Sequence, residues 1–470
     1  MKRAFMFFVS MNCMLLTKAQ EYLGVRNSNY AGINSAFLNP ALISGQKMKW
    51  DVNVVSAGLF FDNSFFFIPK KLVPVLGFRK IFDGIKNENL FYTHFDPQNP
   101  GKLYHIALAN EIIGPSFYTE IAKDQRIGFT IASRGYVNIN NVPGHTAQNA
   151  FDDLKNKGLW NTDLHDNTTK LNAVDWLEYG LHYSKVIKRT TKYEWSAGAS
   201  LNYLQGIVAA YAKNMQLNYN IPDSSKLIVT HSSVDYGTTN FNSQNIGYHD
   251  LTHGHGFSGS IGATYTFFKG QSENADDNNY EFKLGASLID IGSINFKRNS
   301  GAYHFETDSM VYDLTNGSST QKNPALTAIG RQLDSAKELS NDHFKMGLPT
   351  AISIQADWNF YKNFFVNATI IKGFGHGNRQ GVTRTDVYSI TPRYETNLLE
   401  VSLPLSVLYN HYWQPRVGLA IRVGYFFFGA DAIGGLLGLN NFERTDFYAG
   451  IHFFPLKKKH TKQYTDCPED

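Results

Sequence analysis

Hydrophobic and polar residues alternate with a period of two along most of the chain. In "WSAGASLNYLQG", Trp195, Leu201 and Tyr203 fall on one face, whereas Ser196 and Asn202 fall on the other. Successive side chains of a strand point to opposite faces, so this pattern predicts strands with one apolar and one mixed face. The same alternation occurs in "WDVNVVSAGLFF", "RIGFTIASRGYVNI", "FSGSIGATYTFF", "AISIQADWNFY", "LEVSLPLSVLYN", "RVGLAIRVGYFFFG" and "FYAGIHFF". We interpret the alternating residues Val417 to Phe427 of "RVGLAIRVGYFFFG" as one face of a single continuous strand.

The length of these segments favours a membrane barrel over a soluble β protein. Several run to about ten residues, as a tilted membrane strand requires, whereas strands of soluble domains usually stop near five or six. Many apolar faces begin or end in Trp, Tyr or Phe, as an interfacial aromatic girdle needs. The small residues of the mixed faces suit a lumen. We count roughly 12 to 16 candidate strands. The alternative is a large periplasmic sandwich or propeller, but no propeller-length repeat is visible.

The N-terminus has the features of a secretory signal peptide. Lys2 and Arg3 precede an apolar stretch, and small residues lead up to a predicted cleavage site after Ala19. Cys13 offers a lipoprotein interpretation, which its neighbours make the weaker alternative. We therefore predict that residues 1–19 are removed and that the mature chain is exported.

Composition narrows the class further. Aromatic residues make up 14% of the chain, which also has 39 Gly, while the mean hydropathy is only −0.30. Behind the signal peptide no apolar run reaches the roughly 20 residues of a membrane helix. With 44 basic against 40 acidic residues, the chain gives no electrostatic case for a nucleic-acid partner. Only Cys467 survives processing, so no intrachain disulfide can form.

Some connections between strands have helical spacing. "LVPVLGFRKIFDGIKN", "HTAQNAFDDLKNKG" and "PALTAIGRQLDSAKELSND" each place apolar residues three or four positions apart, for example Ile329, Leu333, Ala336 and Leu339 in the last. We predict helical insertions in the loops here. Residues 456–470 form a short polar tail.

Catalytic and metal-binding patterns are weak. His249, His253 and His255 lie close together in "HDLTHGHG", and imidazoles at this density can bind a transition metal. The glycine spacing and the lack of a helical or sandwich context make a solvated turn the better interpretation. Neither a Gly-X-Ser-X-Gly elbow nor a phosphate-binding loop is present. We predict no enzymatic activity and no cofactor.

The segment "NSAFLNPALIS", ahead of the first strand, resembles a known motif. Asn39-Pro40-Ala41 is similar to the N-terminal Asn-Pro-Ala motif of the long-chain fatty-acid transporter family and of its secretion-associated relatives in Bacteroidota. A wider resemblance is to a family of uncharacterised Bacteroidota outer-membrane proteins. It is carried by residues 23–43, 176–186, 284–296, 348–358 and 391–406.

This resemblance implies an all-β fold, an antiparallel transmembrane β-barrel of about 14 strands, in the outer membrane. An even number of strands would place both mature termini in the periplasm. Residues 20–49 would form a hatch segment inside a barrel of residues 50–455. The implied gate residues are Leu38, Asn39, Pro40, Ala41 and Leu42.

Two functional hypotheses follow from the resemblance. The first is passive transport of a small hydrophobic molecule, admitted through an apolar pocket when the hatch moves. The second is a barrel without flux, which serves as an accessory or scaffold of an envelope secretion or assembly complex. A plain plug that merely seals the lumen is as compatible with the hatch residues as a gate. In either case outer-membrane lipid surrounds the barrel.

Overall fold

The computed structural model describes residues 21–73, 90–239, 252–269, 280–313, 338–410 and 412–455. The predicted signal peptide and the polar tail with Cys467 lie outside the described residues. Regular structure in the described part is mostly strand. The strands are β1 (Trp50–Asn63), β2 (Phe66–Phe67), β3 (Tyr92–Thr93), β4 (Leu103–Ile113), β5 (Ser116–Ala122), β6 (Gln125–Pro143), β7 (Leu164–Asp166), β8 (Lys170–Arg189), β9 (Tyr193–Asp223), β10 (Lys226–Thr239), β11 (Gly254–Phe268), β12 (Tyr280–Phe296), β13 (Ser300–Asp313), β14 (Glu338–Asn341), β15 (Phe344–Gly347), β16 (Ala351–Tyr361), β17 (Phe364–Gly373), β18 (Asp386–Glu395), β19 (Leu399–Ser402), β20 (Leu405–Asn410), β21 (Tyr412–Val417), β22 (Leu419–Val423), β23 (Phe426–Ala430) and β24 (Arg444–Phe453).

These strands close into an antiparallel barrel. β1 pairs with β24 through Val52 and Phe453, and along its other edge with β4 and β5. Four barrel strands are each interrupted once, giving the pairs β4–β5, β15–β16, β19–β20 and β21–β22. The wall does not include β2, β3, β7, β10, β13 or β14, and each interrupted pair counts once, so the barrel has 14 strands. This confirms the predicted fold class and strand number.

The outer face of the barrel is apolar. On β9 and β11, Leu201 is 61% exposed and Phe257 is 65% exposed, whereas their neighbours Asn202 and Ser258 are buried. This confirms the predicted assignment of faces on these two strands. A continuous band of outward apolar side chains is what a lipid bilayer requires of a membrane barrel. The protein is thus a barrel of the outer-membrane type.

One predicted strand face is wrong. The alternation from Val417 to Phe427 was expected on one continuous strand, but the chain turns at Gly424, between β22 and β23. Gly424 has φ +57°, a left-handed conformation that glycine adopts without steric cost. After the turn the phase changes, so that Phe427 is buried while Phe426 and Phe428 face outward.

The loop helices are confirmed only in part. The segment from His145 forms a single α-helix, α1 (Gly144–Asp152), followed by a short 3₁₀ turn at Lys157–Leu159. Leu339, predicted in a helix, lies in β14, where it pairs with Tyr303 of β13. Strand pairing supplies that backbone with hydrogen bonds that a short helix would have to form alone. The rest of that segment and most of the one from Leu72 lie outside the described residues.

The two ends of the barrel differ in their connections. Tight turns join β5 to β6, β8 to β9, β16 to β17 and β22 to β23 at one end. At the other end lie longer connections, including residues 64–102 and 374–385, and the upper parts of β9, β10 and β13 extend beyond the barrel as a sheet. We call these the short-turn end and the long-loop end. No described helix is long and apolar enough to cross a membrane.

Candidate functional site in the barrel lumen

The lumen is filled by the segment that precedes β1. Residues 21–49 form turns and two 3₁₀ helices, Gly32–Phe37 and Pro40–Ile43, whose residues are all buried. We call this stretch the hatch segment. None of its residues pairs as a strand with the barrel wall. It is therefore held by side-chain contacts and isolated backbone contacts rather than by a continuous ladder of sheet hydrogen bonds.

Asn39 fixes the centre of the hatch segment. Its side-chain oxygen accepts a hydrogen bond from Ala41 N at 3.0 Å and so caps the 3₁₀ helix that begins at Pro40. Its amide nitrogen donates to Gln355 Oε1 at 3.1 Å. The same nitrogen reaches the carbonyl of Ala263 at 3.3 Å. It also reaches the carbonyl of Ala286 at 3.4 Å, so one side chain caps a helix and contacts three strands of the wall, β11, β12 and β16.

Glycines in the barrel wall make room for the Asn-Pro-Ala motif. A Cβ atom on Gly262 would lie 2.1 Å from Asn39 Oδ1, and one on Gly198 would lie 2.5 Å from Ala41 N. These two glycines face each other across β9 and β11. Distances of that size exclude a side chain, so the wall is shaped to the motif. We call this pair the glycine seat.

A second segment enters the lumen from the long-loop end. Residues 374–385, which join β17 to β18, fold inward; Val382 is fully buried. Thr383 N donates to Asn138 Oδ1 at 2.8 Å, and Gly381 N donates to Asn172 Oδ1 at 3.3 Å. We call this segment the inward loop. It spans from its own strands to β6 and β8 across the barrel.

The hatch segment and the inward loop meet at an ion pair. Arg384 of the inward loop donates to Glu21 of the hatch segment at 3.2 Å and to Asp290 of the wall at 2.6 Å. All three side chains are almost fully buried. Burial raises the pKa of Glu21, and Arg384 opposes that effect. The two segments that occlude the lumen are therefore electrostatically coupled.

Asp290 and Arg134 connect this pair to the wall. Arg134 binds both carboxylate oxygens of Asp290 at 2.8 Å and donates to Glu178 at 3.1 Å. Glu111 lies between Arg134, at 3.5 Å, and Arg26 of the hatch segment. Bidentate arginine–carboxylate pairs are strong and directional. Three arginines and four carboxylates thus form one buried network in the middle of the lumen.

A bulge places Asp290 in this network. The pairing of β11 with β12 shifts near Asp290, which adopts φ +56°. A bulge of this kind redirects a side chain that would otherwise follow the alternation of the strand. The backbone N–H of Asp290 donates to Ser260 Oγ at 3.1 Å, which holds the bulge in place.

A polar cluster fixes the hatch segment near β18. Asn29 donates to both carboxylate oxygens of Glu395, at 3.0 and 3.2 Å, through its side chain and its backbone. Ser28 Oγ donates to Glu400 at 2.7 Å. Arg393 donates to Glu395 at 2.9 Å and balances its charge.

A third attachment holds the start of the hatch segment near β24. Leu23 N donates to Asp431 at 3.0 Å, Gly24 N donates to the hydroxyl of Tyr448 at 3.1 Å, and that hydroxyl donates to Asp431 at 2.8 Å. Burial, together with the charge of Asp446, raises the pKa of Asp431 to about 7. This attachment is therefore sensitive to pH in the neutral range.

An apolar cluster lies between the ion network and the long-loop end. Leu23, Leu38 and Leu42 of the hatch segment belong to the same buried cluster as wall residues toward the long-loop end. We call it the apolar compartment. Its wall residues include Phe60, Ala109, Tyr136, Trp176, Leu204, Ala209, Tyr211, Ile294, Phe296, Phe344, Met346, Leu348, Val387 and Leu408, with Val382 from the inward loop.

The structure brings the predicted gate residues together. Leu38, Asn39, Pro40, Ala41 and Leu42 all lie inside the barrel, within or beside the second 3₁₀ helix. Their location follows from the structure, whereas their action as a gate stays a prediction.

The two described histidines of the predicted cluster each contact a different partner. His249 lies outside the described residues, while His253 contacts the carbonyl of Ile207 at 2.6 Å and His255 contacts Tyr203 at 2.6 Å. Among the residues that the structure describes, no group of His, Cys, Asp or Glu is arranged to hold a metal ion.

Sequence reasoning missed the buried charges. The mixed faces were expected to bear small residues, yet Arg134, Glu178 and Asp290 point into the lumen. A signal was available, because Arg134 and Glu178 each occupy the inward phase of an otherwise regular strand.

Comparisons with known proteins bear on the family and the fold. Residues 40–431 match the family of unknown function DUF5723, and no curated protein matches the chain. The toluene transporter TodX of Pseudomonas putida is similar over 93% of this chain and 98% of its own, at 10% identity and a TM-score of 0.44. A FadL homologue of Pseudomonas aeruginosa is similar over 94% and 99%, at 10% identity and a TM-score of 0.38. The family match extends from Pro40 to Asp431 and so covers most of the barrel.

Proposed function

The chain belongs to DUF5723, a family of unknown function, and we propose that it conducts a small hydrophobic molecule passively across the outer membrane. The hatch segment would act as the gate. One observation carries the proposal: Leu38 and Leu42 of the hatch segment belong to the same buried apolar cluster as wall residues toward the long-loop end. A lipophile that enters among the loops would meet apolar surface until it reaches the hatch segment.

The way the hatch segment is held supports a gate over a permanent plug. It shares no strand pairing with the wall, so it can move without breaking the barrel. Its attachments are separate polar contacts, which include those to Glu395, Asp431 and Gln355 and the ion pairs with Glu111 and Arg384. Each such contact is worth on the order of 1 kcal/mol, and binding of a ligand can offset a few of them.

The orientation is part of the proposal. Barrels of this type carry short turns on the periplasmic side and longer loops outside. The short-turn end, where Trp50 begins β1 and Phe453 ends β24, would then face the periplasm. The ligand would enter at the long-loop end and leave past the displaced hatch segment.

Uptake of a labelled long-chain fatty acid tests the proposal. The barrel is expressed in a Gram-negative host without its own fatty-acid channel, and uptake of radiolabelled oleate is compared with that of the empty host. Ala209→Phe narrows the apolar compartment, whereas Ala199→Phe adds the same ring to the lipid-facing side of the same strand. We expect the wild type and Ala199→Phe to raise uptake and Ala209→Phe to reduce the gain at least fivefold.

Controls separate a blocked route from a misfolded barrel. Each variant is checked for heat-modifiable migration in gels and for equal surface abundance. If Ala209→Phe fails that check, Val382→Trp on the inward loop serves in its place, since Val382 lies in the same compartment. Uptake no greater than in the empty host for every probe of this class contradicts the proposal.

A scaffold role is the second candidate, and the extended sheet favours it. β9, β10 and β13 project beyond the barrel and enclose their own apolar cluster around Tyr219 and Ile221. Val311 on this sheet is exposed. Purification in mild detergent from native outer membranes tests it: a stoichiometric partner that is lost with Val311→Lys supports a scaffold, and recovery of the barrel alone opposes it.

A further inference from the structure

One part of the lumen wall carries buried polar side chains without hydrogen-bond partners in the described part of the chain. The hydroxyl oxygens of Ser389, Thr391 and Ser406 lack a partner, and so do both amide atoms of Gln414. All four residues are at most 6% exposed. They lie on β18, β20 and β21, which are neighbouring strands. We call these four residues the polar row.

Strand register brings the members of the polar row together. Ser389 is opposite Ser406 in the pairing of β18 with β20. Ser406 is in turn opposite Arg416 of β21. Thr391 follows Ser389 by two positions and Gln414 precedes Arg416 by two, so each shares the inward face of its strand. Three hydroxyl groups and one amide group thus share one patch of the lumen.

The polar row adjoins the apolar compartment. Val387, which belongs to that compartment, precedes Ser389 by two positions on β18. Leu408, a second member of the compartment, is opposite Gln414. Since β18 begins at Asp386, directly after the inward loop, Val387 is nearer to the long-loop end than Ser389. A lipophile that occupies the compartment would therefore place one end beside the polar row.

The hatch segment lies next to this patch. Asn27 Nδ2 donates to Thr369 Oγ1 at 2.9 Å, and Thr369 is opposite Ser389 in the pairing of β17 with β18. A Cβ atom on Gly24 would lie 3.4 Å from the ring of Pro404, which precedes β20. A ligand group bound at the polar row would thus lie beside the first part of the hatch segment.

The charge beside the polar row favours an uncharged ligand group. Arg416 already donates to Asp446 at 3.1 Å, and both side chains are buried. Asp446 also accepts a hydrogen bond from the backbone N–H of Asp431. A carboxylate here would be a third buried acid beside one cation, which burial disfavours. Hydroxyl and amide groups both donate and accept hydrogen bonds, so they match a neutral polar group.

From this arrangement we propose that the polar row binds the uncharged, hydroxyl-bearing head of a long-chain alcohol, whose apolar chain lies in the apolar compartment. The inference rests on the proposed function and names the substrate class of the same route. A hydroxyl head supplies partners to Ser389, Ser406 and Gln414 that a pure hydrocarbon leaves unpaired. Oleate would still enter through its chain, but its carboxylate would be held less well than a hydroxyl group.

Three probes that share a long apolar chain test the polar row. Radiolabelled oleyl alcohol, oleate and octadecene are equilibrated with the purified barrel in nanodiscs, and the amount bound to empty nanodiscs is subtracted. Ser389→Ala/Thr391→Val removes two hydroxyl groups of the polar row. Ser196→Ala/Thr266→Val, the control variant, makes the same changes at buried lumen positions of β9 and β11 near the short-turn end.

The polar-row variant should fold, because an apolar group of similar shape can replace an unpaired buried hydroxyl without loss of stability. Heat-modifiable migration in gels checks this for each variant. If Ser389→Ala/Thr391→Val fails the check, Gln414→Leu serves in its place, since it removes the amide group of the same patch.

We expect the wild type and the control variant to bind oleyl alcohol at least fivefold more tightly than oleate or octadecene. The polar-row variant should lose that preference and still bind octadecene as the wild type does. Equal binding of the three probes by the wild type, or an unchanged preference in the polar-row variant, would overturn the head site and leave the transport proposal standing. Binding of no probe at all would contradict both proposals, so the two failures can be distinguished.

Discussion

At the residue scale, the central part of the hatch segment depends on Asn39. Its oxygen caps the 3₁₀ helix, while its nitrogen contacts Gln355 and the wall carbonyls of Ala263 and Ala286. Aspartate would keep the cap and lose all the contacts that the amide nitrogen donates. Alanine would lose all of them and leave Gln355 Oε1 without that donor. The motif therefore needs asparagine for its donor and acceptor together.

The glycine seat gives a direct test at this scale. Gly262→Ala places a methyl group against Asn39 Oδ1, at an initial distance of 2.1 Å. The strand cannot yield without disturbing its pairs, so we expect the hatch segment to shift and stability to fall by about 1–3 kcal/mol. Limited proteolysis within residues 21–49 should become faster.

Gly259→Ala on the same strand is the matched control. A Cβ there meets only the carbonyl of Ser200, at 3.3 Å, and no atom of the hatch segment. Its proteolysis should match that of the wild type. If Gly262→Ala is as resistant as this control, then the fit between Gly262 and Asn39 does not hold the hatch segment.

Asp431 predicts a dependence on pH. Its pKa of about 7 in the folded protein exceeds its ordinary value of 3.8, so the folded state keeps a proton that the unfolded chain releases. The stability from this group is present at low pH and is lost as the pH rises through 7. We expect the midpoint temperature of thermal unfolding to decrease as the pH is raised from 6 to 8.

Asp431→Asn should flatten that pH profile, because asparagine can still accept a bond from Leu23 N but does not titrate. Asp342→Asn, on the surface, should leave the profile unchanged. A pH dependence that persists in Asp431→Asn would assign it to another group.

At the element scale, the structure joins two segments that the sequence does not connect. The inward loop and the hatch segment meet through Arg384 and Glu21, which are 363 positions apart in the sequence. The same arginine contacts Asp290 on β12. A ligand that displaces the inward loop would therefore weaken one attachment of the hatch segment.

A double-mutant cycle measures this coupling. Arg384→Gln leaves Glu21 buried without the Arg384 guanidinium and should lower the free energy of unfolding by about 3 kcal/mol. Glu21→Gln/Arg384→Gln should cost clearly less than the two single changes together, with a coupling energy of roughly 1 kcal/mol or more. Unfolding in denaturant, followed by tryptophan fluorescence, gives the four free energies.

The exposed pair Lys372–Asp386, at 2.9 Å, is the control cycle, and its coupling should stay below about 1 kcal/mol. Additive effects of Glu21→Gln and Arg384→Gln would show that the hatch segment and the inward loop are independent.

The faces of a strand could be predicted from the sequence where one physical requirement applies to every residue of that strand. Lipid demands an apolar outer face, so β9 and β11 were predicted with their correct sides. The turn at Gly424 was missed because Phe426, Phe427 and Phe428 are all apolar, so the sequence does not show on which face each of them lies. Leu339 was placed in a helix because spacing alone cannot reveal that β13 offers it a pairing edge.

At the scale of the whole molecule, the barrel is a closed wall around two inserted segments. The closed wall was predictable from strand length and alternation. The contents of the lumen were not, because Arg134 and Asp290 are 156 positions apart and nothing local links them. The Asn-Pro-Ala resemblance indicated that residues 20–49 lie inside. It could not indicate that the glycine seat and the ion network hold them there.

Hydrogen–deuterium exchange of residues 21–49, measured in nanodiscs with and without oleate as a probe, tests the central claim most directly. A gate predicts strong protection without the probe and a clear increase in exchange at Leu38–Leu42 when oleate is present, while β9 and β11 stay protected. Unchanged protection of the hatch segment at saturating oleate would contradict the account and leave these residues as a fixed plug.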